Sequence, residues 1–237
     1  MRIVSEKSEF ESLFRLAQQE AIRSFGDSTM YLEKYIQNPR HVEVQIVADS
    51  FGNVICLGER DCSVQRRHQK MIEESPCTVL EDETRLHLHK AAVKAAKAVG
   101  YESAGTVEFL CDSDGNFYFM EMNTRIQVEH PVSEAVTGVD LIGEQIRVAS
   151  GLPLSKRQEE IFVRGHAIEC RINAEDPQQN FSPCPGKVEY LHIPGGKGVR
   201  VDTAMESGSE ILPYYDSMIV KIIVHEQNRE LALRKMR

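Results

Sequence analysis

The chain has 237 residues, of which 41% are hydrophobic and 27% are charged, and its net charge is −8. This size suits one large globular domain or two smaller ones, and the acidic balance argues against a general nucleic-acid-binding surface. No stretch approaches the roughly 20 apolar residues of a membrane helix, and no signal-peptide pattern is present. The six scattered cysteines lack a CxxC pair, which favours free thiols in a reducing, cytoplasmic compartment.

The N-terminal third predicts a helix followed by a β-hairpin. Ser8–Glu11 has the pattern of a capping box, apolar residues then recur at helical spacing as far as Phe25, and Gly26 is placed to end the helix. The run Tyr31–Ile36 is compatible with a short buried strand whose backbone could pair with the edge of a base such as adenine. Alternating residues predict a strand over 42–46, a turn over 49–53 and a return strand over 54–57.

The remaining elements divide the chain in two. We predict a helix from Thr84 to Val99, a hairpin that joins 106–111 to 116–122, and a helix from Asp140 to Gly151. From Val163 onward, strand-like runs and prolines predominate. A domain boundary is therefore expected near residues 150–160.

The segment from Glu121 to His130 carries the most distinctive pattern. If it is extended, every second side chain lies on one face of the strand. That face would hold two carboxylates, two amides and a guanidinium, a set suited to holding a cation beside an anion. Its members are Glu121, Asn123, Arg125, Gln127 and Glu129.

The preceding hairpin predicts a metal site. If Asp114-Gly115 forms a two-residue turn, Glu108 lies directly opposite Glu121. Facing carboxylates repel each other unless a cation lies between them. With Asn123 they would supply hard oxygen ligands for Mg²⁺ or Mn²⁺. The alternative is a solvated strand face whose glutamates repel weakly.

Other polar residues have two interpretations each. Arg125 could bind a small oxyanion or a phosphate and Glu129 could act as a general base, or the two could form an ordinary surface ion pair. The stretch Glu59–Lys70 is rich in cations, yet by composition alone it is a solvated loop. Arg171, within a strand-like run, is either paired structurally or kept for an anionic substrate.

Several strings together resemble the biotin carboxylase component of biotin-dependent carboxylases, in the ATP-grasp superfamily. The resemblance covers essentially the whole chain in order. The matching ranges are 31–35, 38–43, 59–63, 65–70, 121–130, 164–176 and 213–218. It implies an α+β fold, with an ATP-grasp domain of antiparallel sheet and flanking helices over 1–155 and part of a β-rich C-terminal domain over 156–237.

The resemblance implies ATP-dependent carboxylation of biotin by bicarbonate through carboxyphosphate. Glu108, Glu121 and Asn123 would hold the metal ions, two in the complete enzyme. Glu129 would remove the proton of bicarbonate, and Arg171 would stabilise the enolate-like oxygen of biotin. Bicarbonate would be bound by Lys70, Arg125, Gln127 and Val128. The nucleotide would contact Glu33, Lys34, Tyr35, Ile36, His41, Gln65 and His68, along with Glu108 and Glu121.

The family also implies a biotin carboxyl carrier, carboxyltransferase subunits and a homodimer as partners. Its glycine-rich loop and an ATP-binding lysine lie upstream of the segment that Met1 begins, so we expect a fragment without full activity. The parent could be a carboxylase such as acetyl-CoA carboxylase of fatty acid synthesis, and an organellar parent would be mitochondrial. Two alternatives are an inactive nucleotide-binding or dimerisation module and another ATP-grasp ligase, although the latter would not need Arg125, Glu129 and Arg171 together.

Overall fold

The computed structural model describes residues 1–237 as two compact units, 1–38 and 39–237. The first unit contains helix α1 (Phe10–Phe25), preceded by a 3-10 turn. Gly26 ends α1 in the left-handed conformation (φ 73°), as predicted. The capping prediction was wrong at Ser8, because the Glu9 carboxylate accepts the Glu6 backbone N–H and Glu9 is the N-cap residue.

The strand predicted over Tyr31–Ile36 is absent. Residues 27–36 have no regular secondary structure, and Tyr31, Leu32 and Tyr35 are exposed. A short run of this kind is stable as a strand only when a neighbouring strand satisfies its backbone groups. No strand of the first unit provides that pairing.

The second unit contains twelve strands and four helices. In chain order they are β1 (Arg40–Ala48), β2 (Val54–Arg66), β3 (Gln69–Ser75), α2 (Asp82–Ala98), β4 (Ser103–Cys111), β5 (Phe117–Asn123), α3 (His130–Thr137), α4 (Leu141–Ala149), β6 (His166–Asn173), β7 (Glu175–Asp176), β8 (Ser182–Pro183), β9 (Gly186–Lys187), β10 (Val199–Thr203), β11 (Glu210–Ile211), β12 (Met218–Glu226) and α5 (Arg229–Met236).

Eight of these strands form one sheet in the order β10-β12-β6-β3-β2-β1-β4-β5, and all seven neighbouring pairs are antiparallel. The sequence predicts a domain boundary in the segment 150–160. Strand β3 precedes this segment and β6 follows it, so their pairing forms one sheet from both sides of the predicted boundary. This large antiparallel sheet with flanking helices confirms the predicted α+β class.

Helices cover both faces of the sheet. The buried cluster around Val44 and Val107 packs against α2, and the one around Ile168 packs against α5. Since successive strand residues point to opposite faces, the other face holds the clusters that pack against α3 and α4. A fully buried leucine such as Leu88 of α2 or Leu141 of α4 contributes about 2 kcal/mol. None of the helices is both long and apolar enough to cross a lipid bilayer.

The β4–β5 hairpin has the predicted Glu108–Glu121 pairing, but its turn differs from the predicted one. Cys111 pairs with Phe117 across a loop longer than two residues, so the predicted turn was wrong. A bulge between Glu108 and Phe109 then shifts the register by one residue, and Glu108 lies opposite Glu121 as predicted. The bulged strand is β5, in which Met120 has no directly opposed partner.

Candidate active site

Four charged residues form a row across four adjacent strands. Arg60 of β2 faces Glu43 of β1, which faces Glu108 of β4, which faces Glu121 of β5. Cross-strand partners share a face, so this row lies on the α3–α4 side of the sheet. Three carboxylates side by side would repel each other, and the structure places cations among them.

Arg60 is the first of these cations. It is fully buried and donates hydrogen bonds to five residues around it. These are Glu43 (2.5 Å), Gln45 (2.6 Å), Ser133 (2.9 Å), Thr106 (3.1 Å) and Gln127 (3.1 Å). Burial alone would lower the pKa of Arg60, but the charges of Glu43 and Glu129 and the hydrogen bond to Glu43 together outweigh it and raise the pKa. Arg60 therefore stays protonated and holds four structural elements together.

Lys70, near the start of β3, is the second cation. Its Nζ lies 2.5 Å from Glu43, 3.0 Å from Glu108 and 2.7 Å from Glu129. Burial would lower the pKa of this ammonium, yet the surrounding carboxylates raise it well above the usual range. Lys70 is thus a fixed positive charge at the centre of the site and not a proton donor.

Glu129 reaches the site from a turn and not from a strand. β5 ends at Asn123, so the prediction that the segment up to Glu129 is extended was wrong. Residues 124–128 form a loop, and Pro131 in the first turn of α3 favours helix formation directly after Glu129. The buried Glu129 carboxylate accepts from Lys70 through Oε1 (2.7 Å) and from Arg171 through Oε2 (2.8 Å).

Glu108 is held ionised by its donors. His41 lies 2.7 Å away, and Lys70, Asn123 and Gln127 also donate to it. Although burial works in the opposite direction, the His41 hydrogen bond and the Lys70 charge lower the pKa of Glu108 to about 2. The amide of Gln65 donates to His41 Nδ1 (2.9 Å) and to the Cys62 carbonyl. This leaves the His41 proton on Nε2, which faces Glu108.

The predicted metal ligands lie together. Asn123 Nδ2 donates to both Glu108 (2.9 Å) and Glu121 (3.3 Å), so one amide bridges the two facing carboxylates. A hard divalent cation between these carboxylates would replace that bridge, and rotation of the amide would offer it the Asn123 oxygen. The oxygen set of Glu108, Glu121 and Asn123 therefore fits Mg²⁺ or Mn²⁺. The structure also groups His41 and Glu43 with Glu108 closely enough for a cation.

Arg171 of β6 forms the opposite wall. Its Nε donates to the buried Glu73 (2.7 Å) and its Nη2 to Glu129 (2.8 Å). Lys221 of β12 lies opposite Arg171 and donates to the backbone carbonyl of Val128 (2.8 Å). Strands β3, β6 and β12 thus hold the segment that carries Glu129.

The other predicted residues lie in different places. Gln127 is buried between Arg60 and Glu108, whereas Arg125 is exposed and contacts Ile126 and Asn123. His68 is exposed in the tight turn between β2 and β3, with φ 63°. The first unit contains Glu33, Lys34, Tyr35 and Ile36, within its segment that has no regular secondary structure.

Sequence reasoning missed the residues that hold the site together. Glu43, Arg60, Glu73 and Lys221 received no role, and Glu59–Asp61, assigned by composition to a solvated loop, are buried in β2. One signal was available, since Glu43 and Gln45 alternate with valines and isoleucine in a strand that is buried on both faces. Charged residues at such positions need charged partners across the sheet.

Comparison with known families accounts for both parts of the chain. Residues 1–157 match the family described as "Carbamoyl-phosphate synthase L chain, ATP binding domain", and residues 169–237 match "Biotin carboxylase C-terminal domain". The chain is 55% identical over its full length to biotin carboxylase of Nostoc sp. and 56% identical to biotin carboxylase 1 of Bacillus subtilis. It covers 53% of each, so it spans about half the length of these curated relatives.

Solved structures agree with the sequence comparison. A biotin carboxylase–β,γ-ATP complex from Campylobacter jejuni superposes with a TM-score of 0.92 at 54% identity, over 100% of this chain and 52% of that one. The biotin carboxylase domain of a thermophilic 2-oxoglutarate carboxylase, bound to bicarbonate, superposes with a TM-score of 0.95 at 51% identity, over 99% of this chain and 53% of that one. With the family match, the fold and the ordered set of charged residues in agreement, this chain belongs to the biotin carboxylase family of ATP-grasp proteins.

Proposed function

We propose that this chain supplies the metal- and bicarbonate-binding part of a biotin carboxylase, which carboxylates biotin at the expense of ATP through carboxyphosphate. One observation carries the proposal: the buried Glu129 carboxylate lies between Lys70 and Arg171, each within 2.8 Å. A base between two cations suits a reaction that deprotonates one anion and then stabilises another.

Bicarbonate is a poor nucleophile, and it needs orientation and the loss of a proton before it can attack a phosphoryl group. Lys70, with its raised pKa, would hold the anion without giving up its own proton. The carboxylate of Glu129 would accept the proton of bicarbonate. Gln127 and the backbone of Val128 would line the same pocket, and the exposed Arg125 would approach from its rim.

Arg171 would act on the second substrate. A protonated ureido nitrogen of biotin is also a weak nucleophile, and its deprotonated form places charge on the ureido oxygen. A guanidinium presented by a rigid strand stabilises that charge. Glu73 holds Arg171 at Nε, so its Nη groups remain directed at the Glu129 side of the site.

Magnesium, or manganese in its place, would neutralise charge on the nucleotide phosphates when bound. Glu108, Glu121 and Asn123 would hold the metal, and we propose two ions in the complete enzyme. One solved relative, the biotin carboxylase domain of the Hydrogenobacter thermophilus 2-oxoglutarate carboxylase, is a dimer in complex with MgADP, ADP and bicarbonate. By their match to the family, we assign His41, Gln65 and His68 to contacts with the nucleotide, and Glu33–Ile36 to its adenine-binding segment.

The proposal extends to partners and setting. The biotin would be carried by a biotin carboxyl carrier protein or domain, the carboxyl group would pass to a carboxyltransferase, and the complete protein would be a cytoplasmic homodimer. The predicted domains 1–155 and 156–237 remain our proposed division. Relatives include a subunit of pyruvate carboxylase from Methanothermobacter thermautotrophicus, so acetyl-CoA carboxylase of fatty acid synthesis is one candidate parent among several.

Substitution of Glu129 tests the proposed reaction. In the protein that carries this chain, Glu129→Gln should abolish biotin-dependent ATP cleavage, because an amide cannot accept the proton of bicarbonate. Glu144→Gln is the matched control, since Glu144 is also buried but lies in α4 and accepts from the Ser155 backbone. Near-normal turnover by Glu129→Gln would refute the assigned role.

The alternative is a module without catalysis, which would either bind nucleotide or only provide an interaction surface. Calorimetry separates these two forms. Titration of this chain with MgADP should release binding heat, and the fitted affinity should fall at least tenfold in Glu108→Ala and in Glu121→Ala. Titration with ADP and a chelator should reproduce that weakening in the unsubstituted chain. The absence of any binding heat would favour an interaction module.

A further inference from the structure

A second pair of carboxyl groups lies behind Arg171, and the proposed reaction does not use it. Glu73 of β3 and Glu169 of β6 face each other directly across the two strands. Both are fully buried. Both oxygens of Glu169 lack any hydrogen-bond partner, as does Oε2 of Glu73, whose Oε1 accepts from Arg171.

Burial limits the charge that this pair can carry. An ionised carboxylate without a donor is very costly in a protein interior, and two facing carboxylates repel each other as well. Cross-strand partners have Cβ atoms about 5 Å apart, within the reach of two glutamate side chains. One proton between Oε2 of Glu73 and an oxygen of Glu169 would satisfy two of the three atoms that now lack partners.

We propose that Glu73 and Glu169 share one proton and act together as a positioning pair for Arg171. With the proton in place, Glu73 accepts from Glu169 on one oxygen and from Arg171 on the other. The pair then carries a single negative charge, and Arg171 keeps its Nη groups for the Glu129 side of the site. This inference rests on the proposed function for its catalytic consequence but not for the proton itself.

Loss of the shared proton would change the charge of the pair and its attraction for Arg171. Burial raises the pKa of Glu169 to about 8 and that of Glu73 to about 7, while the charge of Lys221 lowers the former and that of Arg171 the latter. Above this range the pair becomes doubly negative and draws the guanidinium away from the substrate side. The charged groups that act on the pair from the surrounding elements are Arg171, Lys221, Glu129 and Glu43. On the neighbouring α3, His130 interacts electrostatically with Lys221.

A titration of this chain alone tests the proton. Carbon-13 NMR of the glutamate carboxyl groups should show one signal that titrates near pH 8 and that disappears in Glu169→Gln. Glu144→Gln should leave that signal in place. If every glutamate signal titrates below pH 6, the shared proton is refuted, whatever the chain catalyses.

The effect on Arg171 is tested by kinetics in the protein that carries this chain. The kcat/KM for biotin should fall about tenfold per pH unit above pH 8, through a rising KM. Glu169→Gln, which mimics the protonated acid, should shift that decline upward by at least one pH unit. An unchanged decline in Glu169→Gln refutes the positioning role. Lack of carboxylation by the unsubstituted protein would refute the proposed function and leave the NMR result standing.

Discussion

Arg60 offers the most stringent test of how the site is held together. Arg60→Met keeps a similar side-chain volume but removes hydrogen bonds to five residues on four elements. The buried Glu43 carboxylate then retains only Lys70 as a cationic partner. Four neutral side chains also lose a donor, namely Gln45, Thr106, Gln127 and Ser133.

The expected cost follows from these contacts. Removing one member of a buried ion pair costs about 3–5 kcal/mol, because the remaining charge is left buried without compensation. Lys70 offsets part of this, while the orphaned Gln45, Thr106 and Gln127 add to it. We expect the free energy of unfolding to fall by about 4 kcal/mol, a large share of the 5–15 kcal/mol typical of a domain.

Urea unfolding followed by circular dichroism measures this change. Arg234→Met is the matched control, since Arg234 forms an exposed pair with Glu230 on α5 and should change stability by under about 0.5 kcal/mol. A double-mutant cycle with Glu43→Gln should give a coupling energy of about 2 kcal/mol, because removing both charges leaves neither unpaired. A loss below 1 kcal/mol in Arg60→Met, or an additive cycle, would refute this account.

Two further predictions concern groups away from the site. Burial would lower the pKa of His89, but hydrogen bonds to Cys56 and Glu59 raise it to about 10. The stability that its charge provides should be complete below pH 6.5 and lost as pH rises toward 10. Urea unfolding should therefore show the free energy of unfolding falling between pH 8.5 and 10, and this fall should be smaller in His89→Gln. Of the six cysteines, only Cys184 is exposed, so a thiol reagent at pH 8 should show one fast-reacting group. Cys184→Ser should eliminate that phase; a persistent fast phase would contradict the lower exposure of the other five.

Elements with strong periodicity were predictable from the sequence. The helix predicted over 84–99 is observed as Asp82–Ala98, and the one expected from Asp140 is observed as Leu141–Ala149. The facing of Glu108 and Glu121 was also predicted, but two errors cancelled each other. Because Phe119 and Met120 both fit a strand pattern, nothing in the sequence marks the bulge that restores the register.

Composition failed where long-range pairing decides burial. The polar stretch at Glu59–Lys70 lacks the apolar residues that mark a core strand, yet Glu59 and Arg60 are almost fully buried. Arg60 is stable there because Glu43 and Gln45, some fifteen residues away in sequence, face it across the sheet. Such compensation is set by strand pairing, which local composition does not report.

The charges of the site also indicate which contact of Lys70 the proposed reaction would weaken. Lys70 is surrounded by three carboxylates, so an anion can reach it only by replacing one of them. Each of the three also has a second donor, since Glu43 is bound by Arg60, Glu108 by His41 and Glu129 by Arg171. Under the proposed function, Glu129 becomes neutral when it accepts the proton of bicarbonate, and its attraction to Lys70 then falls. Of the three, the carboxylate proposed as the base is therefore the one whose contact with Lys70 the proposed proton transfer would weaken.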